Sequence, residues 1–155
     1  MKKQMRFIVT LLCCCLLFTG CGQQEQATVS IAAEDYDIVY EEAAVNELKE
    51  YSLEKLGAFY LHADGAFSEG AADELYRRFL AEPDIVLQYF SQLGEQTIGE
   101  DKLAVQALCE ALALCDVVWY DGTDEFAEAL EQCTDGEYAR MAVLLQDAYD
   151  NVKVE

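Results

Sequence analysis

The segment 99–115, GEDKLAVQALCEALALC, decides the fold of this chain. From Leu103 to Cys115 it is apolar on nearly every side of a helix, with leucine, alanine, valine and cysteine at most positions. A helix that is apolar all round lies inside a core, with other helices packed around it. The preceding residues Thr97–Glu100 (TIGE) have the form of a capping box, which predicts that this central helix begins at about Gly99.

Helical patterns continue on both sides of this segment. One flanking helix is predicted at 42–62 and another from Pro83 to Gly94. Three more are predicted to begin after a Ser68 cap, after a Thr123 cap and after a second capping box at Thr134–Glu137. The fold class is therefore predicted to be all-α, a compact bundle of five to six helices. Because the order long helix, Asp-Gly, short helix, longer helix occurs in both 42–93 and 99–152, stacked helical hairpins in a HEAT-like superhelix are the alternative.

The first twenty residues have the three parts of an export signal. Residues 1–6 carry three positive charges and no acid, Phe7–Phe18 is almost entirely apolar, and Thr19 and Gly20 are small. A helix needs about 20 residues to cross a bilayer, so this apolar run is too short to span one. Residues 1–20 are predicted to be a signal peptide.

The end of this signal carries a further feature. Residues 17–21, LFTGC, resemble the lipobox of bacterial membrane lipoproteins, in which a small residue precedes the modified cysteine. The resemblance implies cleavage after Gly20, a diacylglyceryl group on the sulfur of Cys21, and a lipid anchor at the extracytoplasmic face of the cell membrane. The predicted organisation is a signal peptide at 1–20, a lipidated N-terminus and polar tether at 21–35, and an acidic all-helical domain at 36–155.

The charge of the chain limits its partners. The formal net charge is −20, and loss of Lys2, Lys3 and Arg6 with the signal would make the mature protein more acidic still. Such a field repels nucleic acid and anionic headgroups, and it favours cations or a protein partner with a basic surface. Solubility alone is the other reason for such acidity.

Three cysteines follow the signal and its terminal Cys21. Cys109 and Cys115 lie six positions apart in one helical pattern, so about 9 Å of helix rise separates them, beyond the reach of a disulfide. A Cys109–Cys133 disulfide across a helix hairpin is one prediction, and buried free thiols are the other.

No residue pattern specifies a metal, a cofactor or a catalytic set. His62 is the single histidine, and its place at a predicted helix end favours a capping role. The Asp-Gly pairs at 64–65, 121–122 and 135–136 lack the oxygen donors and the glutamate of a calcium loop, so they are predicted to be turns. With 30 acids in the chain, paired carboxylates for glycoside hydrolysis remain an alternative that the sequence does not locate.

Trp119 and Tyr120 are the candidate binding surface, because aromatic side chains next to an Asp-Gly break make good binding anchors. Core packing at the end of a buried helix is the alternative. Arg77 and Arg78 are predicted to form ion pairs within this acidic domain. The expected function is a non-catalytic interaction or scaffold module at the bacterial cell envelope, with an envelope hydrolase and a cation-responsive module as alternatives.

Overall fold

A computed structural model describes residues 29–154, so the predicted signal at 1–20, its Gly20 cleavage position and the lipidation site Cys21 lie outside the described residues. The described residues form seven α-helices: α1 (Glu42–Glu47), α2 (Leu53–His62), α3 (Gly65–Ala81), α4 (Pro83–Gln92), α5 (Ala104–Leu114), α6 (Asp124–Gln132) and α7 (Ala139–Val154). The strands β1 (Thr97–Ile98) and β2 (Lys102–Leu103) form a small antiparallel hairpin before α5.

Helix α5 is the centre of the fold, as its apolar sequence predicts. It packs against α7 along much of its length and also contacts α2, α3 and α4. Leu108, Leu112 and Ala113 are fully buried. Helices from both halves of the chain therefore share one core. The all-α compact bundle is confirmed.

Both predicted capping boxes are wrong. Thr97 lies in the hairpin, and Gly99 has φ +65°, outside the right-handed helical region, so the turn forms there and α5 begins only at Ala104. The hydroxyl of Thr134 donates to the carbonyl of Glu131, 2.8 Å away, and so closes the end of α6 rather than opening α7.

Other helix boundaries differ from prediction in places. The helix predicted at 42–62 is interrupted, because Ser52 caps α2 by accepting a hydrogen bond from the Lys55 amide at 3.2 Å. Ser68 is inside α3, where its hydroxyl donates to the carbonyl of Gly65 at 2.8 Å. Pro83 opens α4, and the Thr123 side chain caps α6, both as predicted.

Residues 29–35, predicted to be part of the tether, instead lie against the helical domain. The side-chain amide of Gln96 donates to the carbonyl of Val29 at 2.6 Å. His62 Nε2 lies 2.9 Å from the carbonyl oxygen of Ile31, so this histidine holds the N-terminal segment and does not cap its own helix. Val29 and Ile31 also pack on the core. The folded domain therefore includes these residues, upstream of the predicted start at 36.

Among residues 29–154, no helix combines the length and the apolar character needed to cross a bilayer.

Candidate binding surface

The end of α5 carries a group of exposed apolar side chains. The chain continues from Leu114 through one π-helical turn, Cys115–Trp119, before it leaves the helix. Four large side chains are solvent-exposed here, and we call them the apolar surface: Leu114, Val118, Trp119 and Tyr120. Trp119 is 46% exposed and Tyr120 39%, so the structure does not place the two predicted aromatics in the core.

A buried carboxylate holds the backbone behind this surface. Within the described part of the chain, Asp116 is the one charged side chain that is fully buried. Its Oδ1 accepts hydrogen bonds from the Thr123 hydroxyl at 2.7 Å and from the Thr123 amide at 3.1 Å. The Asp116 carbonyl accepts from the amides of Tyr120 and Gly122, at 3.2 and 3.0 Å. These bonds close the loop 116–123, so the aromatic residues within it are held in place.

The same carboxylate ties the loop to α3. The hydroxyl of Tyr76 donates to Asp116 Oδ1 at 2.7 Å. Burial, together with the negative charge of Asp116, raises the pKa of Tyr76 well above its ordinary value, so the phenol stays protonated and remains a donor. Because Tyr76 and Asp116 are both buried, this pair is structural and offers no access to a substrate.

Aromatic stacking fixes the position of the Tyr120 ring. Its ring lies parallel to that of Tyr76, with 4.7 Å between centroids and 13° between planes. Phe126 stacks on Tyr76 at 5.9 Å, and Tyr149 on Phe126 at 5.1 Å. The Tyr120 hydroxyl also donates to Asp73 at 2.5 Å, and Asp73 pairs with Arg77 at 2.8 Å. The Tyr120 side chain is thus partly exposed, while its contacts with Tyr76 and Asp73 hold it in one position.

Two cavities lie on either side of Leu114. One, of about 170 Å³, lies between α3 and α5 and is bordered by Trp119 and Tyr60. The other, of about 280 Å³, lies between α5 and α7 and is bordered by Glu110 and Val152. Leu114 lines both cavities, so the apolar surface has a depression on each side of this side chain.

The part of the chain that follows the apolar surface is acidic. Directly after Tyr120, the stretch 121–137 (DGTDEFAEALEQCTDGE) contains no basic residue. Within it, Glu125, Glu128 and Glu131 are exposed on α6. An exposed apolar surface is thus followed in the chain by a stretch of unbalanced negative charge.

The three described cysteines are buried free thiols. The predicted Cys109–Cys133 disulfide is therefore not formed in this structure, and the alternative of free thiols is the arrangement observed. Burial raises the pKa of the Cys109 and Cys115 thiols to about 12. Both thiols are consequently neutral at pH 7, as is typical of cysteines that serve as core packing.

The two adjacent arginines of the domain are both held in contacts within the protein. Arg77 and Arg78 pair with Asp73 and Glu74, at 2.8 and 2.9 Å, as predicted for this basic dipeptide. Asp73 and Glu74 share a cavity, so the two carboxylates that meet there are each held by an arginine. Among the described residues, no cluster of three or more histidine, cysteine or acidic side chains has the arrangement of a metal site.

The sequence contains one signal for the buried network. Asp116 follows the apolar run ALALC and precedes two valines, so it is a lone acid in an apolar stretch. A charge in such a place requires partners when it is buried. Its partners, Tyr76 and Thr123, come from other elements and have no local signature.

Comparison with family models, with curated proteins and with solved structures finds no match for this chain.

Proposed function

We propose that this protein is a lipid-anchored, non-catalytic interaction module at the extracytoplasmic face of the bacterial cell membrane. It binds a protein partner with a basic surface through the apolar surface at the end of α5. The observation that carries this proposal is Trp119, a large aromatic side chain that is half exposed on an ordered turn. Tryptophan is enriched among the residues that contribute most of the binding energy in protein–protein interfaces.

The membrane anchor is supported by the sequence alone. The LFTGC motif at 17–21 resembles a lipobox, and the charged and apolar segments of an export signal precede it. Mass spectrometry of the protein isolated from cells tests this part. A mature chain that starts at an acylated Cys21 supports it, whereas an unmodified chain that starts at Met1 contradicts it. The Cys21→Ser variant should lose the acyl mass and leave the membrane fraction.

The interaction is supported by order, exposure and charge. The network around Asp116 and the stacking of Tyr120 on Tyr76 reduce the entropy that the apolar surface would lose on binding. The acidic stretch 121–137 beside it would attract a basic partner and repel acidic ones.

Crosslinking capture from intact cell envelopes tests the interaction. A specific partner should be captured by the unaltered protein, less so in high salt, and much less by the Trp119→Ala variant. Val143→Ala is the matched control, because Val143 is also exposed but lies on α7, outside the apolar surface. If Trp119→Ala and Val143→Ala capture the same proteins in the same amounts, this surface is not the binding site.

A further inference from the structure

The cavity beside Trp119 has the size of one side chain. Its volume is about 170 Å³. Pockets for drug-sized molecules hold roughly 300–1,000 Å³, whereas an engineered cavity of about 150 Å³ accommodates benzene. The walls include Tyr60, Ala72 and Leu114 besides Trp119, so the lining is mostly apolar. These dimensions suit a phenyl ring or a branched aliphatic group from a larger partner.

The rim of this cavity is polar and negative on the α3 side. Ser68 and Glu69 lie there. Glu69 is exposed, and it makes no ion pair with any residue in the described part of the chain. The Glu69 carboxylate can therefore pair with a cationic group of a partner that lies next to this cavity.

Charge decides between the classes of occupant. A second copy of this chain would bring two acidic surfaces together, and anionic lipid headgroups would be repelled in the same way. A basic polypeptide segment is attracted instead, and its apolar side chains supply the group that fills the cavity.

We propose that the cavity formed by Tyr60, Ala72, Leu114 and Trp119 seats one aromatic or branched aliphatic side chain from a cationic segment of the partner protein. A lysine or arginine of the same segment faces Glu69. This inference rests on the proposed function, because it specifies how the apolar surface engages its basic partner.

Trp119 provides the readout, because it is the only tryptophan in the chain. The full chain isolated from cells is titrated with a synthetic amphipathic peptide of lysine and phenylalanine. Two control peptides replace every phenylalanine by serine or every lysine by glutamate. Only the lysine–phenylalanine peptide should produce a saturable blue shift of the Trp119 emission, because only that peptide combines positive charge with a group that displaces water from the indole.

Two variants test the location of binding. Ser68→Phe places a ring at the cavity rim and should lower the affinity for the lysine–phenylalanine peptide by at least about tenfold, as expected when one buried apolar side chain loses its place. Ser91→Phe is the matched control, since Ser91 also donates to the carbonyl three positions earlier, but on α4. Glu69→Lys should weaken binding and flatten its dependence on salt.

Several outcomes would overturn this inference: no saturable shift, equal binding by Ser68→Phe and the unaltered protein, or an equal shift with the serine peptide. A blue shift that grows with protein concentration without peptide would identify a second copy as the occupant. Envelope capture separates this result from the proposed function. If Ser68→Phe captures the partner normally and Trp119→Ala does not, the interaction stands and the cavity is not its seat.

Discussion

The hydroxyl of Tyr76 donates a 2.7 Å hydrogen bond to Oδ1 of Asp116, although the two residues are 40 positions apart in the chain. This bond joins the middle of α3 to the π-helical turn that ends α5. The Thr123 hydroxyl and amide donate to the same oxygen, at 2.7 and 3.1 Å, and connect this turn to the start of α6. One buried carboxylate thus sets the position of three elements around the apolar surface.

Replacement of Asp116 by alanine should be strongly destabilising. The change leaves the Tyr76 hydroxyl and the Thr123 amide and hydroxyl without their acceptor, and hydrogen bonds to a charged group contribute about 1.5–3 kcal/mol each. We expect a loss of about 3–5 kcal/mol in the free energy of unfolding, since such a deletion removes the centre of a buried network. Chemical denaturation monitored by circular dichroism measures this change.

The stability of Asp116→Asn is compared with that of Asp121→Asn, which makes the same substitution at an exposed position. In Asp116→Asn an NH2 donor replaces Oδ2, which accepts from the Thr123 amide at 3.2 Å, and the remaining acceptor loses its negative charge. This variant should therefore also be destabilised by more than about 1 kcal/mol. Asp121 is exposed and has φ +61°, a conformation that asparagine tolerates, so its variant should be close to neutral. Equal stabilities of the two variants would show that the Asp116 network contributes little.

Trp119→Ala should affect binding without affecting the fold. Because about half of the side chain is exposed, its removal should lower the free energy of unfolding by only about 1–2 kcal/mol. Phe126→Ala is the contrasting change, since Phe126 is fully buried and stacks on Tyr76, and it should cost about 3–5 kcal/mol. Thermal denaturation of both variants checks this. A large destabilisation by Trp119→Ala would assign this residue a packing role.

Gly57 and Tyr89 form a contact that leaves no room for a Cβ. A Cβ at Gly57 would lie 1.9 Å from the Tyr89 hydroxyl and 2.8 Å from its ring carbon Cζ. Gly57→Ala should therefore destabilise the protein by about 1–3 kcal/mol or more, the range for overpacking in a core. The measurement is the free energy of unfolding in denaturant.

Tyr89→Phe supplies the test of this explanation. The Tyr89 hydroxyl is buried and has no hydrogen-bond partner among the described residues, so its removal should be neutral or stabilising. In the double variant Gly57→Ala/Tyr89→Phe, part of the destabilisation should be recovered, because the closest clashing atom is gone. Strict additivity of the two single changes would mean that the clash does not involve this hydroxyl.

Alkaline pH should weaken the fold through its buried thiols. Burial raises the pKa of Cys109 to about 12 from an ordinary value of 9.0. Above about pH 9 the unfolded chain therefore releases this proton while the folded chain retains it, so the folded state binds more protons and stability falls as pH rises. The contribution is fully present below about pH 9 and is lost progressively toward pH 12.

Melting temperatures between about pH 8 and about pH 10.5 measure this dependence. Cys109→Ala should be less stable at every pH, because a core side chain is shortened, but its decline at alkaline pH should be shallower. The decline should persist in part, since burial also raises the pKa of Tyr76 and Tyr89. The same slope in both proteins would contradict a contribution from this thiol.

Local patterns predicted four features correctly: the helical class, the central position of α5, the start of α4 at Pro83 and the Thr123 cap. Each depends on residues within one or two turns of helix, as with the segment 104–114, which is apolar except at Gln106 and Glu110. The capping boxes failed for a related reason. The motif specifies which groups can pair, but the positive φ at Gly99 and the pairing of β1 with β2 decided which conformation they adopted.

The sequence by itself determined that this chain is helical, acidic and organised around one apolar helix, because helix formation and charge are local properties. Only the tertiary structure decided that Asp116, among so many acids, is buried, and that Trp119 is exposed beside a cavity. Burial is the sum of contacts among segments far apart in the chain, such as α3, α5 and α6, and no local pattern encodes that sum.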